Sequence, residues 1–179
     1  ASSMGEETPV SKNPDVAQIL VVPAESIVQP GESVELTTRF FNRIGQPLDV
    51  DADVTFEVQG AGKIEGSTFT ANADASHTGV VITAKAGEAT GTARIRIVPP
   101  LPWKFTFDGL TDPPLSWVGA RYRHVIRDVD GSPALVKIST IPKGARSRSW
   151  MGPSDLSEYT IAADVRGARD NDKLPDIGL

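Results

Sequence analysis

Short stretches of alternating apolar and polar residues run through the first half of the chain. Residues 33–40 (SVELTTRF), 54–58 (VTFEV) and 90–98 (TGTARIRIV) each place apolar side chains at about every second position. Alternation with period two is typical of β-strands that bury one face and expose the other. No eleven-residue window keeps a helical period, so the pattern predicts strands throughout residues 16–98.

Turn residues separate these stretches at regular intervals. Pro-Gly at positions 30 and 31, the segment 42–47 (NRIGQP) and glycines 60 and 62 all interrupt the alternation. About seven short strands with a turn every 8–12 residues predict an antiparallel sandwich of two sheets. Residues 1–15 carry Ser, Glu, Thr, Pro and Lys without any period, so we expect a linker or a disordered tail there.

An ordered series of short motifs covers residues 19–98. These motifs are VVP at 21–23, GESVELT at 31–37, NRIGQPL at 42–48, VTFEV at 54–58, GKI at 62–64, FTA at 69–71 and GTARIRIV at 91–98. In this order they resemble a bacterial immunoglobulin-like domain of the invasin/intimin, or group 2, type. The resemblance implies an Ig-like sandwich over residues 16–99. Phe56 departs from the family pattern, in which many members carry Trp.

The composition changes at Pro99 and Pro100. All three tryptophans and both tyrosines follow this point, so we place a domain boundary there. Alternation and turn residues predict further strands in the second half, with Tyr159 and Ile161 on one face of the last. The predicted strands span residues 103–107, 115–119, 122–127, 134–140 and 157–166.

Four motifs of the second half, FTFDG at 105–109, PLSW at 114–117, DVDGSPAL at 128–135 and YTIAADV at 159–165, follow one another in order. Together they resemble the N-terminal part of a concanavalin A-like jelly roll. Domains of that family need about twice this length, so we expect residues 100–179 to be a truncated copy. The predicted fold class is therefore all-β, an Ig-like β-sandwich followed by a truncated jelly-roll-like β-sandwich.

Composition and charge narrow the possible chemistry. The chain lacks cysteine, which excludes disulfides, thiolate metal sites and cysteine nucleophiles. Residues 1–100 carry 7 basic and 13 acidic side chains, and residues 101–179 carry 11 and 10, so neither half has the charge of a nucleic-acid binder. Apolar runs are too short for membrane insertion. No nucleophile, phosphate-loop or metal motif occurs, so we expect no catalytic residues, no cofactor and no metal.

One segment has side chains suited to binding carbohydrate. Trp150 follows Arg146 and Arg148, and an exposed indole beside guanidinium groups can stack on a sugar ring while they bond its hydroxyls. The alternative for Trp150 is a position in a core or at its rim. Trp103 and Trp117 fit apolar periods and are expected in a core. Several acidic residues invite a calcium or glycosidase interpretation, but their pattern favours solvated faces and turns. These are Asp49, Asp51, Asp53, Glu57, Glu65, Asp108, residues 128–131, Asp155, Glu158, Asp164 and residues 170–172.

The sequence thus predicts a non-catalytic spacer and interaction module of a secreted or envelope-associated multidomain bacterial protein. Its expected partners are neighbouring domains of the same polypeptide, and a glycan or a surface protein. The first alternative is carbohydrate binding by the jelly-roll-like unit. The second is a fragment of a glycan-active enzyme, or of a protein with a pyrroloquinoline-quinone-type β-propeller. The tandem resembles segments of large bacterial envelope proteins, which implies an extracytoplasmic location.

Overall fold

The computed structural model of the chain describes residues 15–138, 147–167 and 172. The predicted linker lies outside these residues except for its last position, and Arg146 also lies outside them. Within the described ranges the regular structure is almost entirely β, with a single one-turn helix. The prediction of an all-β sandwich fold is therefore confirmed.

Within the described residues, ten strands precede Pro99 and two follow it. The strands are β1 (Gln18–Val22), β2 (Glu25–Val28), β3 (Ser33–Glu35), β4 (Thr37–Phe41), β5 (Pro47–Leu48), β6 (Thr55–Gln59), β7 (Gly62–Glu65), β8 (Thr68–Ala71), β9 (Thr78–Ala86), β10 (Ala89–Ile97), β11 (His124–Val129) and β12 (Ser132–Lys137). The helix, α1, spans Ala120–Arg123.

Two layers of strands form the sandwich. One layer is a four-stranded sheet in the order β2-β10-β9-β6. The other contains two three-stranded sheets, β1-β4-β5 and β3-β8-β7, which are continuous along the chain because only Leu36 separates β3 from β4. Strands β9 and β10 form the longest ladder, which extends from the pair Ala86 and Ala89 to the pair Thr78 and Ile97.

The first strand segment changes layers part of the way along the sandwich. β1 pairs antiparallel with β4 in one layer, and β2 pairs parallel with β10 in the other. A Cβ placed on Gly91 would lie 2.3 Å from the carbonyl oxygen of Ile19, so the start of β10 lies against β1. Val28 pairs with Ile97 at the other end of β10. The chain therefore enters the sandwich at one end and leaves it at the opposite end.

The core lies between these two layers. Side chains at alternating positions of β9 and β10 are buried, as the period-two pattern predicts. They pack against buried residues of the other layer, of which Val21, Leu36 and Phe69 are among the most completely enclosed. Burial of this apolar set is the main source of stability for the sandwich.

The segment after Pro100 has less regular structure. Its described strands are β11 and β12, which form a two-stranded antiparallel hairpin across the turn at Asp130 and Gly131. The strands predicted at residues 103–107, 115–119 and 157–166 are not formed there. Residues 103–107 nevertheless keep the predicted alternation, with Trp103 and Phe105 half-buried and Lys104 exposed. They dock on the sandwich through side chains and not through a backbone ladder.

In residues 157–166 the structure differs from what the sequence pattern predicts. Tyr159, Ile161 and Val165 follow the predicted alternation but are exposed, and residues 157–166 pair with no strand in the described part of the chain. Alternation fixes a face of a strand only when a neighbouring layer covers it. The jelly-roll character of residues 100–179 and the domain boundary at residue 100 stay predictions.

Candidate functional site

Trp150 lies on an isolated antiparallel bridge with Val118. The backbone N–H of each residue donates to the carbonyl oxygen of the other, at 2.9 Å from Val118 and 3.0 Å from Trp150. Directly opposed residues of an antiparallel pair point their side chains to the same face. The indole of Trp150 is 61% exposed, so it offers an aromatic surface to solvent, with Val118 beside it.

A close backbone approach holds this segment in place. Gly119 has φ of 79°, and a Cβ there would lie 2.9 Å from the carbonyl oxygen of Arg148. Only glycine combines this left-handed conformation with such an approach at little cost. Arg148 is exposed and precedes Trp150 by two positions. The structure thus keeps two of the three predicted carbohydrate-binding residues near one another, and Arg146 lies outside the described residues.

His124 anchors the start of the same segment. Its Nδ1 lies 3.0 Å from the carbonyl oxygen of Ala120, and its Nε2 lies 3.3 Å from Oγ of Ser147. Both ring nitrogens are therefore engaged in hydrogen bonds that connect helix α1 with the segment that precedes Trp150. This arrangement gives His124 a structural role in positioning the candidate site.

Three buried polar atoms near the bridge have no hydrogen-bond partner in the described part of the chain. They are Oγ of Ser116, Nε1 of Trp117 and Oγ of Ser149. Buried polar groups are nearly always hydrogen-bonded in folded proteins, because an unmade bond costs about 1–3 kcal/mol. The packing around the Val118 and Trp150 bridge therefore encloses polar groups that have no partner among the described residues.

Two of the candidate carboxylates, Glu57 and Glu65, form ion pairs with lysines. Nζ of Lys85 donates to Glu57 at 2.6 Å, and Nζ of Lys63 donates to Glu65 at 2.6 Å. The hydrogen bond and the charge of Lys63 hold the pKa of Glu65 below its ordinary value. A lowered pKa is the opposite of what a general acid in glycoside hydrolysis requires, so Glu65 does not fit that role.

The acidic clusters considered for calcium have other local roles. Oδ1 of Asp128 accepts a hydrogen bond from the backbone N–H of Gly131 at 3.0 Å, which stabilises the hairpin turn. Asp130 forms an ion pair with Arg166. Among the described residues, no group of three or more acidic or histidine side chains is arranged to hold a metal ion. Residues 170 and 171 lie outside the described residues.

A cluster of rings connects the sandwich with the segment that follows it. His77 lies in the loop between β8 and β9, and its ring centroid is 5.4 Å from Trp103 and 4.6 Å from Phe105, both edge to face. Phe105 in turn lies 4.8 Å from Trp117. Edge-to-face pairs at such separations are favourable beyond the apolar area that they bury. We call His77, Trp103, Phe105, Phe107 and Trp117 the joint cluster.

Two further contacts fix the joint cluster against the sandwich. Nε1 of Trp103 donates to the carbonyl oxygen of Pro99 at 2.8 Å. Leu115 lies directly over Gly79 of β9, where an added Cβ would come within 3.0 Å of its Cβ. Trp103 is thus hydrogen-bonded to Pro99 through Nε1 and packed against His77 through its ring. The sandwich and the start of the second segment pack together as one unit.

No motif in the sequence indicated this role of His77. Its backbone is left-handed, with φ of 46°, which histidine tolerates better than most residues. Burial among the rings lowers the pKa of His77, because desolvation disfavours the charged imidazolium. The only signal in the sequence was the alternation of Trp103, Phe105 and Phe107, which indicated an apolar face but not its partner.

No known protein family matches the sequence of this chain, and no curated protein resembles it significantly. The helix found in the described part of the chain has four residues, and no helix there is long and apolar enough to cross a membrane.

Proposed function

We propose that this chain is a non-catalytic spacer and interaction module of a secreted or envelope-associated multidomain bacterial protein. The observation that carries the proposal is the path of the chain, which enters beside Gly91 and leaves beside Val28. Strand β10 spans nine residues, so at about 3.3 Å per residue the sandwich separates its two ends by roughly 30 Å. A unit with entry and exit at opposite ends suits a role in holding neighbouring domains apart.

The strand order supports the Ig-like part of this proposal. One layer follows the order β1, then β3 with β4, then β8 and β7, and the other contains β6, β9 and β10 with β2 at its edge. Immunoglobulin-type sandwiches place their first, second, fifth and fourth strands in one sheet and their third, sixth and seventh in the other. The same fold carries many functions, so the order supports the architecture and not a particular partner.

The joint cluster supports a stiff spacer. A spacer transmits position only when the following segment cannot swing freely, and inter-domain contacts must be well packed to prevent such motion. Here the rings of His77, Trp103 and Phe105 interlock, and Trp103 is also hydrogen-bonded to Pro99. The exit from the sandwich is therefore restrained on two sides.

Nitrogen-15 relaxation of the full chain tests this role. We expect amides of β9 and amides of the β11–β12 hairpin to report the same rotational correlation time. Trp103→Ala removes the ring that contacts His77 and is hydrogen-bonded to Pro99, and we expect the hairpin to tumble faster than the sandwich in this variant. Independent tumbling in the unmodified chain would contradict the spacer proposal.

A second candidate function is carbohydrate binding by residues 100–179, favoured by the exposure of Trp150. Indole faces stack on sugar rings, and Arg148 and Arg146 supply donors for hydroxyl groups. A glycan array is the direct assay, and the proposal expects a signal that Trp150→Ala abolishes. Ile44→Ala removes another exposed apolar side chain, from the β4–β5 turn, and serves as the control. Equal signals from both variants would reject Trp150 as the binding residue.

A further inference from the structure

A groove lies where the chain leaves the sandwich, and Trp150 is not among its lining residues. It has a volume of about 210 Å³ and is lined on the sandwich side by Ile27 and Glu32 and on the other side by Leu101, Trp103, Asp155 and Leu156. Apolar residues outnumber polar ones in this lining, and polar and apolar atoms contribute about equally to its surface. A groove of this size accommodates one long side chain and not a whole domain.

The groove carries negative charge without a matching cation. Glu32 accepts a hydrogen bond from the backbone N–H of Gln29 at 2.7 Å through Oε2, which orients its carboxylate. Neither Glu32 nor Asp155 forms an ion pair with a cation in the part of the chain that the structure describes. No Lys or Arg of the described ranges lines the groove. The first hundred residues are also acidic as a whole, with 13 acidic and 7 basic side chains.

We propose that this groove binds a lysine or arginine side chain presented by a partner polypeptide. The aliphatic stem of such a side chain packs along Trp103 and Leu156, and its cationic end lies between the carboxylates of Glu32 and Asp155. Lysine and arginine combine an apolar stem with a charged end in this way, and a cation also interacts favourably with an indole face. The chemistry of the groove thus selects a long basic side chain over an apolar or acidic one.

The proposal of a binding groove depends on the proposed stiff joint, because Trp103 of the joint cluster forms one wall of the groove. If the second segment moved away from the sandwich, Leu156 and Asp155 would separate from Glu32 and the groove would not exist. The binding groove and the stiff joint can nevertheless be tested independently. Substituting the carboxylates changes the groove without removing any ring of the joint cluster.

The test uses the full chain and a minimal probe, Nα-acetyl-lysine-N-methylamide, followed by proton–nitrogen correlation spectra. We expect saturable shifts at the Trp103 indole N–H and at amides of residues 29–32 and 153–156. The affinity should be in the millimolar range, because so small a ligand buries few atoms. The norleucine analogue has the same stem without the charge, and we expect no saturable shift from it.

Charge substitutions complete the test. Glu32→Gln and Asp155→Asn should each weaken probe binding at least about threefold, as expected for one solvent-exposed ion pair. Glu88→Gln removes one charge at the β9–β10 turn, at the far end of the sandwich, and should leave binding unchanged. Equal binding of the norleucine analogue, an equal effect of Glu88→Gln, or no saturable shift from the lysine probe would each overturn the proposal. In the last case, common tumbling of both segments would leave the stiff joint intact.

Discussion

The ring of His77 lies 4.6 Å from the ring of Phe105, centroid to centroid, with the planes inclined at 64°. His77 belongs to a loop of the sandwich, and Phe105 belongs to the segment that follows its last strand. This pair connects two parts of the chain that the sequence pattern treats as separate units. It makes the exit from the sandwich a packed joint and not a free linker.

Trp103→Ala should weaken this joint. The substitution removes a half-buried indole, its hydrogen bond to Pro99 and its contact with His77, for an expected loss of about 2 kcal/mol in the free energy of unfolding. Urea unfolding followed by circular dichroism measures this loss. Trp103→Phe keeps an aromatic ring but not the hydrogen bond, so its loss should be smaller. Equal stability of Trp103→Ala and the unmodified chain would contradict the packed joint.

Stability should depend on pH through His77. Burial lowers its pKa in the folded chain below the unfolded value of about 6.5, so between these values the unfolded chain binds more protons than the folded chain. Stability is therefore greatest above about pH 6.5 and falls as the pH decreases towards the folded pKa. Chemical unfolding between pH 5 and pH 8 measures this slope. His77→Phe keeps a ring without a titrating group, and the part of the slope due to His77 should vanish in this variant.

Gly91→Ala should destabilise the sandwich by about 1–3 kcal/mol. An added Cβ would lie 2.3 Å from the carbonyl oxygen of Ile19, so β1 and β10 would have to separate. Thermal unfolding measures the loss. Gly87→Ala is a useful comparison, because its Cβ meets no atom and only its positive φ of 58° opposes the change. A loss at position 91 no larger than at position 87 would argue against the close contact of the two layers.

Ser116→Ala should increase stability. Ser116 is 2% exposed, and its Oγ has no hydrogen-bond partner among the described residues. Removing an unsatisfied buried hydroxyl relieves a desolvation cost, for an expected gain of about 1 kcal/mol. Equilibrium unfolding in urea measures the difference. A loss of similar size would mean that the hydroxyl makes a favourable interaction in solution.

Most of the sandwich was predictable because its core depends on alternation within single strands. The pattern located the strands around Val34, Phe56 and Ile95, which pack their apolar faces into one core. It missed β2, β5 and β7, which are two to four residues long and lie next to turn residues. β2 owes its strand character to pairing with the distant β10, whereas β5 and β7 form hairpins with the neighbouring strands β4 and β8.

The second half of the chain was less predictable for the same physical reason. Residues 103–107 and 157–166 have equally clear alternation, but the first docks by side chains and the second exposes Tyr159 and Ile161. Periodicity identifies an apolar face and cannot identify the surface that covers it. Trp150 is exposed and follows Arg148, as the carbohydrate-binding interpretation requires, whereas the role of His77 required knowledge of which loops meet.

The distance across the joint is the most direct test of the central claim, that the sandwich and the following segment form a stiff spacer. Because the chain lacks cysteine, spin labels can be placed at Glu88→Cys and Ser132→Cys without further substitution. Pulsed electron–electron double resonance then measures the separation between the two labels, one at the far end of the sandwich and one in the hairpin. We predict one narrow distance distribution, which broadens when Trp103→Ala is added. A broad distribution in the chain with Trp103 intact would contradict the account.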